Sequence, residues 1–296
     1  MTVVDREAMN GQHSVGLYSC GRTFEIHCHD HETAALVRSV FGGLVASLPP
    51  AQWKASKHYD IERDGTGRFR LVDSGGAEAT FDGRDSLLFH LDKNITLTLQ
   101  KERPDLYFLH AAAVAIDDRV AALAAPSGTG KSTIAFALLA NQFVYFSDEL
   151  TPIDPETLLI HPYPRALCLK APVLEKYRLP QTAFETGSRI HVPVDSLGIA
   201  ATRPLPLGAM FFLKRQRTQA PVCLSAAEGA AFVMANALNL AAHPSDGLDV
   251  AIRLSSAVPC FALDTSDLHA ACSAIAAVLR QHSGPKKRTD ESHPAE

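Results

Sequence analysis

The chain has 296 residues, 46% of them hydrophobic and 20% charged, enough for one large core or two smaller ones. Its formal charge of −4 gives no whole-chain electrostatic case for nucleic-acid binding. Six cysteines, at 20, 28, 168, 223, 260 and 272, include no C-x-x-C pair and read as small core residues in a reducing compartment rather than as a disulfide frame. The first residues, Met1-Thr2-Val3-Val4-Asp5-Arg6-Glu7, lack the apolar stretch of a signal peptide, and no run of about 18 apolar residues appears. A cytoplasmic chain without a membrane helix is expected.

Residues 14–29 read as strands around Gly21-Arg22, because Phe24, Ile26 and Cys28 alternate with Glu25, His27 and His29. A helix is expected over 32–48, with Leu36, Val37, Val40, Phe41, Leu44, Val45 and Leu48 on its apolar side and Asp30 as its cap. Gly42-Gly43 weakens that helix. The run His27-Cys28-His29-Asp30-His31 invites a metal reading, since i and i+2 on a strand share a face. The next candidate ligand is far along the chain and no metal-family spacing is present, so solvated strand-end histidines are expected. A hairpin over 59–73 turns at Asp64-Gly65-Thr66-Gly67, and Gly75-Gly76 turns again before Ala79-Thr80-Phe81. Then come the apolar segment Leu87-Leu88-Phe89-His90-Leu91 and the alternating run Ile95-Thr96-Leu97-Thr98-Leu99, followed by a polar stretch that Pro104 interrupts. Residues 1–104 read as a small α+β domain with no chemistry of its own in view.

The stretch 107–116 is apolar and Asp117-Asp118 makes a tight turn into 120–124, a short buried strand. Ala125-Pro126-Ser127-Gly128-Thr129-Gly130-Lys131-Ser132-Thr133 follows, and 134–140 reads as a helix. Strand, glycine loop and helix are the setting of the phosphate-binding pattern G-x-x-x-x-G-K-[ST], matched except at Ala125. In that pattern the backbone N–H groups over 127–133 converge on an anion at a helix N-terminus. Lys131 reaches the β- and γ-phosphates and the Ser132 hydroxyl ligates Mg²⁺. The competing reading is a chance Gly/Ser-rich turn. Next, the apolar run 143–149 ends in Asp148-Glu149, with Asp148 placed 17 residues after Lys131. One short helix and an immediate return fit that interval. Both carboxylates can hold Mg²⁺, and Asp148 can accept a proton from an attacking hydroxyl. The competing reading is two acids at an exposed strand end.

Prolines over 160–170 exclude helix and favour extended chain, with Arg165 and Lys170 flanking a short strand in reach of a phosphate. The run 187–195 carries another basic pair, 209–213 is a core strand, and Lys214, Arg215 and Arg217 make a local basic patch. Helices are expected over 226–241 and 266–281, the first capped by Ser225 with Glu228 completing a capping box. The polar tail 283–296 reads as disordered.

Three pieces together resemble a known family. Leu109-His110-Ala111, the loop 125–133 and Ser147-Asp148-Glu149 put His110 21 residues before Lys131 and Asp148 17 after it. This resembles the catalytic domain of bacterial HPr kinase/phosphorylase, and more closely the HprK-related kinase A group. The sequence is also similar to kinases encoded with lasso-peptide precursors. The run Pro164-Arg165-Ala166-Leu167-Cys168-Leu169-Lys170 matches the related-kinase group too, and the resemblance covers about 105–280. It departs from the family at Ala125 and at Glu149, where HPr kinase has a second aspartate.

The resemblance implies an α/β fold: a P-loop kinase core of the HPr kinase type over 105–282, a mixed sheet flanked by helices. It implies ATP and Mg²⁺ as cofactors, and a serine on a protein or peptide as acceptor, a lasso-type precursor included. Asp148 would be the base, with His110 beside the transferred phosphate. Lys131, Ser127, Gly128, Thr129, Gly130, Ser132 and Thr133 would hold the nucleotide, with Arg165 and Lys170 assisting. Ser132, Asp148 and Glu149 would hold the metal, with Glu149 also in the catalytic set. It implies a homo-oligomer as well; from charge and composition, no nucleic acid or membrane is expected as partner. Two other classes stay open. A small-molecule kinase of the gluconate or adenylylsulfate kinase type also pairs such a loop with an early acidic strand, although its loop opens the chain. A nucleotide-binding regulator that transfers nothing is supported by Ala125 and Glu149.

Overall fold

The computed structural model describes residues 13–46, 54–170, 178–215 and 220–281. The segment 1–12, Leu48, Arg217 and the tail expected to be disordered lie outside them. Alternating residues build a first sheet in the order β1 (His13–Ser19), β2 (Arg22–Cys28), β3 (Lys57–Arg63), β4 (Phe69–Asp73), β5 (Glu78–Phe81). Only β2 and β3 run parallel, joined through helix α1 (His31–Phe41). One face carries Val15, Leu17, Phe24, Ile26, Tyr59, Ile61, Phe69 and Leu71 into a core closed by α1 and by helix α2 (Arg84–Glu102). Glu25, His27, His58 and Asp60 alternate with those residues and point away from that core.

One expectation for this part needs correction. Helix α1 ends at Phe41, not near 48. Gly42 and Gly43 tighten into a 3₁₀ turn over Gly42–Leu44, and Val45 then bridges to Leu17 as extended chain. The Asp30 cap is as read: its carboxylate accepts the Thr33 N–H at 2.7 Å. The alternating run at 95–99 is not extended, because it lies inside α2. Leu87, Leu91, Ile95 and Leu99, four apart, make one buried face. Burying each such side chain is worth roughly 1.5–3 kcal/mol, more than the roughly 1 kcal/mol spanned by strand propensities.

The second sheet is mixed. Its path runs β10 (Leu159–Ile160), β9 (Leu150–Ile153), β6 (Tyr107–Ile116), β7 (Arg119–Ala124), β14 (Leu205–Lys214), β16 (Cys260–Asp264), β15 (Val222–Cys223). β8 (Val144–Ser147) pairs with β6 ahead of β9, and β14 is parallel to both β7 and β16. The hairpin between β6 and β7 turns at Asp117 and Asp118, both with positive φ. Strands β6 and β7 are runs of small residues buried on both faces. Helices α3 (Lys131–Leu139) and α6 (Leu268–Gln281) cover one side, and α4 (Ala226–Ala235) and α5 (Leu248–Ala257) the other. A third sheet orders β11 (Leu167–Lys170), β13 (Arg189–Val192) and β12 (Phe184–Thr186).

Helix α4 carries the expected capping box of Ser225 and Glu228 but stops at Ala235 rather than 241. Neither α5 nor β16 was anticipated from the sequence. All six cysteines are free. Among the described residues, no helix is long and apolar enough to cross a membrane.

Among the described residues, a backbone hydrogen bond joins the first sheet unit to the second. The Ala166 N–H donates to the Val40 carbonyl at 2.6 Å, and a Cβ at Gly43 would run into the Pro164 carbonyl. Gly42, one residue earlier, has open space around it. Gly43→Ala should lower stability by about 1–3 kcal/mol, while Gly42→Ala should be neutral or slightly stabilising. Urea unfolding of the two variants checks this, and equal effects would show that the contact is not formed.

Candidate active site

The loop 125–130 carries the chain from the end of β7 to the first residue of α3. Gly128 and Gly130 have φ of +86° and +110°, which side chains rarely adopt, so these two positions need glycine. Ala125 is not among the positive-φ residues and is buried, so its backbone torsions do not call for the missing first glycine. Gly130 caps α3 without a side-chain acceptor, leaving backbone N–H groups at its N-terminus aimed outward. Thr129 steadies the loop by donating its hydroxyl to the Pro126 carbonyl at 2.9 Å.

Lys131 is 7% exposed. Its Nζ donates to the Ala125 carbonyl at 2.6 Å and to Nε2 of His110 at 3.0 Å. Accepting that bond keeps the imidazole neutral, and burial together with the ammonium pushes the His110 pKa down. Burial also lowers Lys131. His110 reaches this place because β6 lies beside β7, with Ala111 opposite Ala124.

β6 also separates the acidic strand from the loop strand. β8 and β9 both pair with β6, and Asp148-Glu149 forms the bend between them. The carboxylate nevertheless arrives at the loop, because Ser132 Oγ donates to Asp148 at 3.2 Å. Asp148 is 3% exposed and accepts further bonds from the Cys168 N–H at 2.9 Å and the Tyr145 hydroxyl at 3.3 Å. Burial pushes the Asp148 carboxyl up, and the nearby guanidinium of Arg165 pulls it back. Glu149 behaves oppositely: its ion pair with Arg165 holds its carboxyl low. The difference follows from placement. Glu149 meets Arg165 directly and keeps some solvent, while Asp148 lies 3.6 Å from the guanidinium and is fully enclosed.

Arg165 is 4% exposed and holds a third carboxylate, Asp92 of α2, 3.4 Å from its Nε. The Nε–Asp92 contact is an ion pair without hydrogen-bond alignment. The Tyr163 hydroxyl also donates to Asp92, at 2.9 Å.

The twelve residues named from the sequence therefore fall into two groups. Ser127, Gly128, Gly130, Lys131, Ser132, Thr133, Lys170, His110, Asp148 and Glu149 line one cavity of about 280 Å³, joined by Arg189 and Arg215. Thr129 sits behind it on the neighbouring face of the loop, and Arg165 sits under it, occupied by carboxylates. Glu149 turns to Arg165, whereas Ser132 and Asp148 meet each other. Sequence reasoning missed Asp92, Tyr145, the Cys168 N–H, Arg189 and, as part of this cavity, Arg215. Asp92 carries no local signal, being one acid on an amphipathic helix.

Two further cavities touch Glu149. One of about 290 Å³ is lined by Asp85, Phe89, Arg165, Thr186, Arg189 and His191 among others. The other, about 260 Å³, lies along α2 and includes His110, Phe89, Leu97 and Leu238.

No family model matches the chain, and no curated protein does. Among solved structures, one titled as the Hpr(Ser) kinase/phosphatase from Coxiella burnetii aligns with 59% of this chain and 95% of that chain. The identity is 13% and the TM-score 0.34, too shallow a likeness to carry an argument. What the chain can do rests on its own geometry.

His191 gives this region a pH test. Its Nε2 bonds to the Thr186 hydroxyl at 2.8 Å and its Nδ1 is buried without a partner. Burial pushes its pKa down from 6.5 to about 4. The unfolded chain takes up that proton first, so the contribution is present above the unfolded value and is lost as the pH falls from about 6.5 toward 4. The loss is about 3 kcal/mol at most. His191→Gln should flatten this part of the stability–pH curve, measured by urea unfolding at several pH values. An unchanged slope would show that the ring is not buried neutral. Separately, Asp92→Ala removes a partner from a buried guanidinium and should cost about 2–3 kcal/mol, read by the same method.

Proposed function

We propose that this chain is an ATP-dependent kinase that transfers the γ-phosphate to a serine hydroxyl of a peptide or protein. The observation that carries the reading is one cavity where a buried lysine, a buried carboxylate and a glycine loop at a helix N-terminus converge.

The residues fit the groups this needs. The N–H groups of a helix start, with Lys131 and the nearby Lys170 and Arg215, suit the charge of a triphosphate. Ser132 and Asp148 offer hard oxygen donors within 3.2 Å of each other, the donor type Mg²⁺ takes. Bound there, Mg²⁺ would supply neutralisation of phosphate charge. Glu149 fits that role less well, because Arg165 engages it.

Phosphoryl transfer asks for positioning and charge more than covalent chemistry. Lys131 is held by Ala125 and His110 rather than by an acid, so its ammonium is free to turn to a phosphate at little cost. The acceptor oxygen bonds to the γ-phosphorus as the bond to the β-phosphate oxygen breaks. Asp148 takes the hydroxyl proton, and its burial, which raises its proton affinity, suits that task. Neutral His110, bonded to Lys131 and to the Glu149 backbone, is fixed in orientation beside that lysine.

The neighbouring cavities favour a peptide over a free small molecule. Phe89, Leu97 and Leu238 are each at least 44% exposed, and all three line the cavity along α2 that His110 and Glu149 also line. Apolar surface of this size beside an acceptor site suits side chains flanking a serine. The proposed arrangement is a small α+β domain over 1–104 completing a catalytic domain over 105–282, working in the cytoplasm as an oligomer.

Incubation with ATP, Mg²⁺ and serine-bearing acceptors, first a lasso-type precursor peptide and an HPr-type protein, should add one phosphate to a serine by mass spectrometry. Lys131→Ala should abolish the gain. Asp148→Asn should slow transfer by about 10²–10⁴-fold while nucleotide binding persists. Normal transfer by Asp148→Asn would overturn its role as base. Phosphate on a free sugar but on no peptide would select the small-molecule kinase.

A further inference from the structure

The outward face of the first sheet carries chemistry that the kinase reading leaves unused. Glu25 and His27 are two apart on β2 and point to this face together. The parallel neighbour β3 sets His58 directly beside Glu25. His58 is 33 residues from Glu25 along the chain, so no sequence spacing reveals the pairing.

Glu25 Oε2 lies 3.3 Å from Nδ1 of His58 and 4.0 Å from Nε2 of His27. The three ligand atoms all fall within 4.8 Å of one another. Zn²⁺ bonds of about 2.0–2.1 Å place tetrahedral donors roughly 3.3 Å apart. One pair already has that separation and the others need to close by about an ångström or somewhat more.

A hydroxyl sets the tautomer. Ser14, opposite His27 on β1, donates its Oγ to Glu25 at 3.3 Å and lies 2.9 Å from Nδ1 of His27. With its hydrogen given to Glu25, Ser14 accepts from Nδ1, which leaves the Nε2 lone pair for a metal. This is the outer-shell support that metal-binding histidines use. The His27 and His58 rings stand parallel, 2° apart in plane and 6.3 Å between centroids. Aiming both lone pairs at one ion takes rotation about χ2, a soft torsion for histidine.

We propose that Glu25, His27 and His58 form a Zn²⁺ site with its fourth position open to water. Two imidazoles and a carboxylate are a donor set for Zn²⁺ rather than for Mg²⁺. The rest of the strand-end histidine run is otherwise engaged: His29 pairs with Asp60 at 2.7 Å and His31 packs edge-on against His13. Bound zinc ties β2 to β3 across the α1 crossover and stabilises the fold by mass action.

The test uses the full chain, stripped with EDTA and dialysed. Zinc is titrated against a chromophoric chelator and counted by elemental analysis, and melting temperature is read with and without zinc. One zinc per wild-type chain is expected, with a rise in melting temperature. His27→Ala and His58→Ala should each weaken binding more than tenfold and remove that rise. Ser14→Ala should weaken it about tenfold, and His31→Ala should leave it unchanged. Because these side chains point away from the core, the zinc-free variants should melt close to the wild type. If a histidine variant melts early, Ser14→Ala and Glu25→Gln carry the decision. Wild-type binding no tighter than that of His58→Ala overturns the proposal. So does zinc that is lost with Asp148→Asn but kept in His58→Ala, since that ion would sit at the glycine loop.

Discussion

One buried guanidinium organises the centre of this molecule. Arg165 is 4% exposed and carries a charge that an apolar interior cannot hold alone. Three carboxylates answer it, Asp92 from the first sheet unit and Asp148 and Glu149 from the bend between two strands of the second. Removing water from such a cluster costs several kcal/mol per ion, which only close pairing offsets. The cluster thus contributes less to net stability than to placement. It sets where α2 sits, how the 148–149 bend is turned, and which acid faces the glycine loop.

That placement separates two carboxylates adjacent in sequence. Glu149 spends its charge on Arg165 and stays ionised. Asp148 keeps its other oxygen toward Ser132, is held by a backbone N–H, and binds a proton more readily. Adjacent acids in different surroundings acquire different capacities. The same logic makes Lys131 and His110 a pair in which the ring stays neutral and the ammonium is held by neutral acceptors rather than by an acid.

The first sheet unit is more than an appendage. Its helix α2 supplies Asp92 to Arg165 and Phe89 and Leu97 to the cavity along the acids. Its residues Val40 and Gly43 meet Pro164 and Ala166 just where the arginine emerges. Residues 1–104 read from sequence alone as a domain with no chemistry of its own in view. The side chains that give them a part become visible only against the second sheet.

Local rules were enough wherever the determining contacts are near in sequence. The Gly-rich loop between an apolar strand and a helix, the Asp117-Asp118 turn, the Asp30 cap and the Ser225–Glu228 box all follow from neighbours within a few residues. So does the company of Lys131, Ser132 and the loop glycines. Other features were settled by distant packing. The run at 95–99 alternates like a strand, yet the face through Leu87, Leu91, Ile95 and Leu99 is buried, and that burial outweighs local preference. Strand order brought His110 between the loop strand and the acidic bend, turned Glu149 away from Ser132, and set His58 beside Glu25. The sequence by itself determined the short-range geometry of the glycine loop. The tertiary structure alone decided which charges share a low-dielectric pocket, because ion pairing acts through space between residues the chain holds far apart.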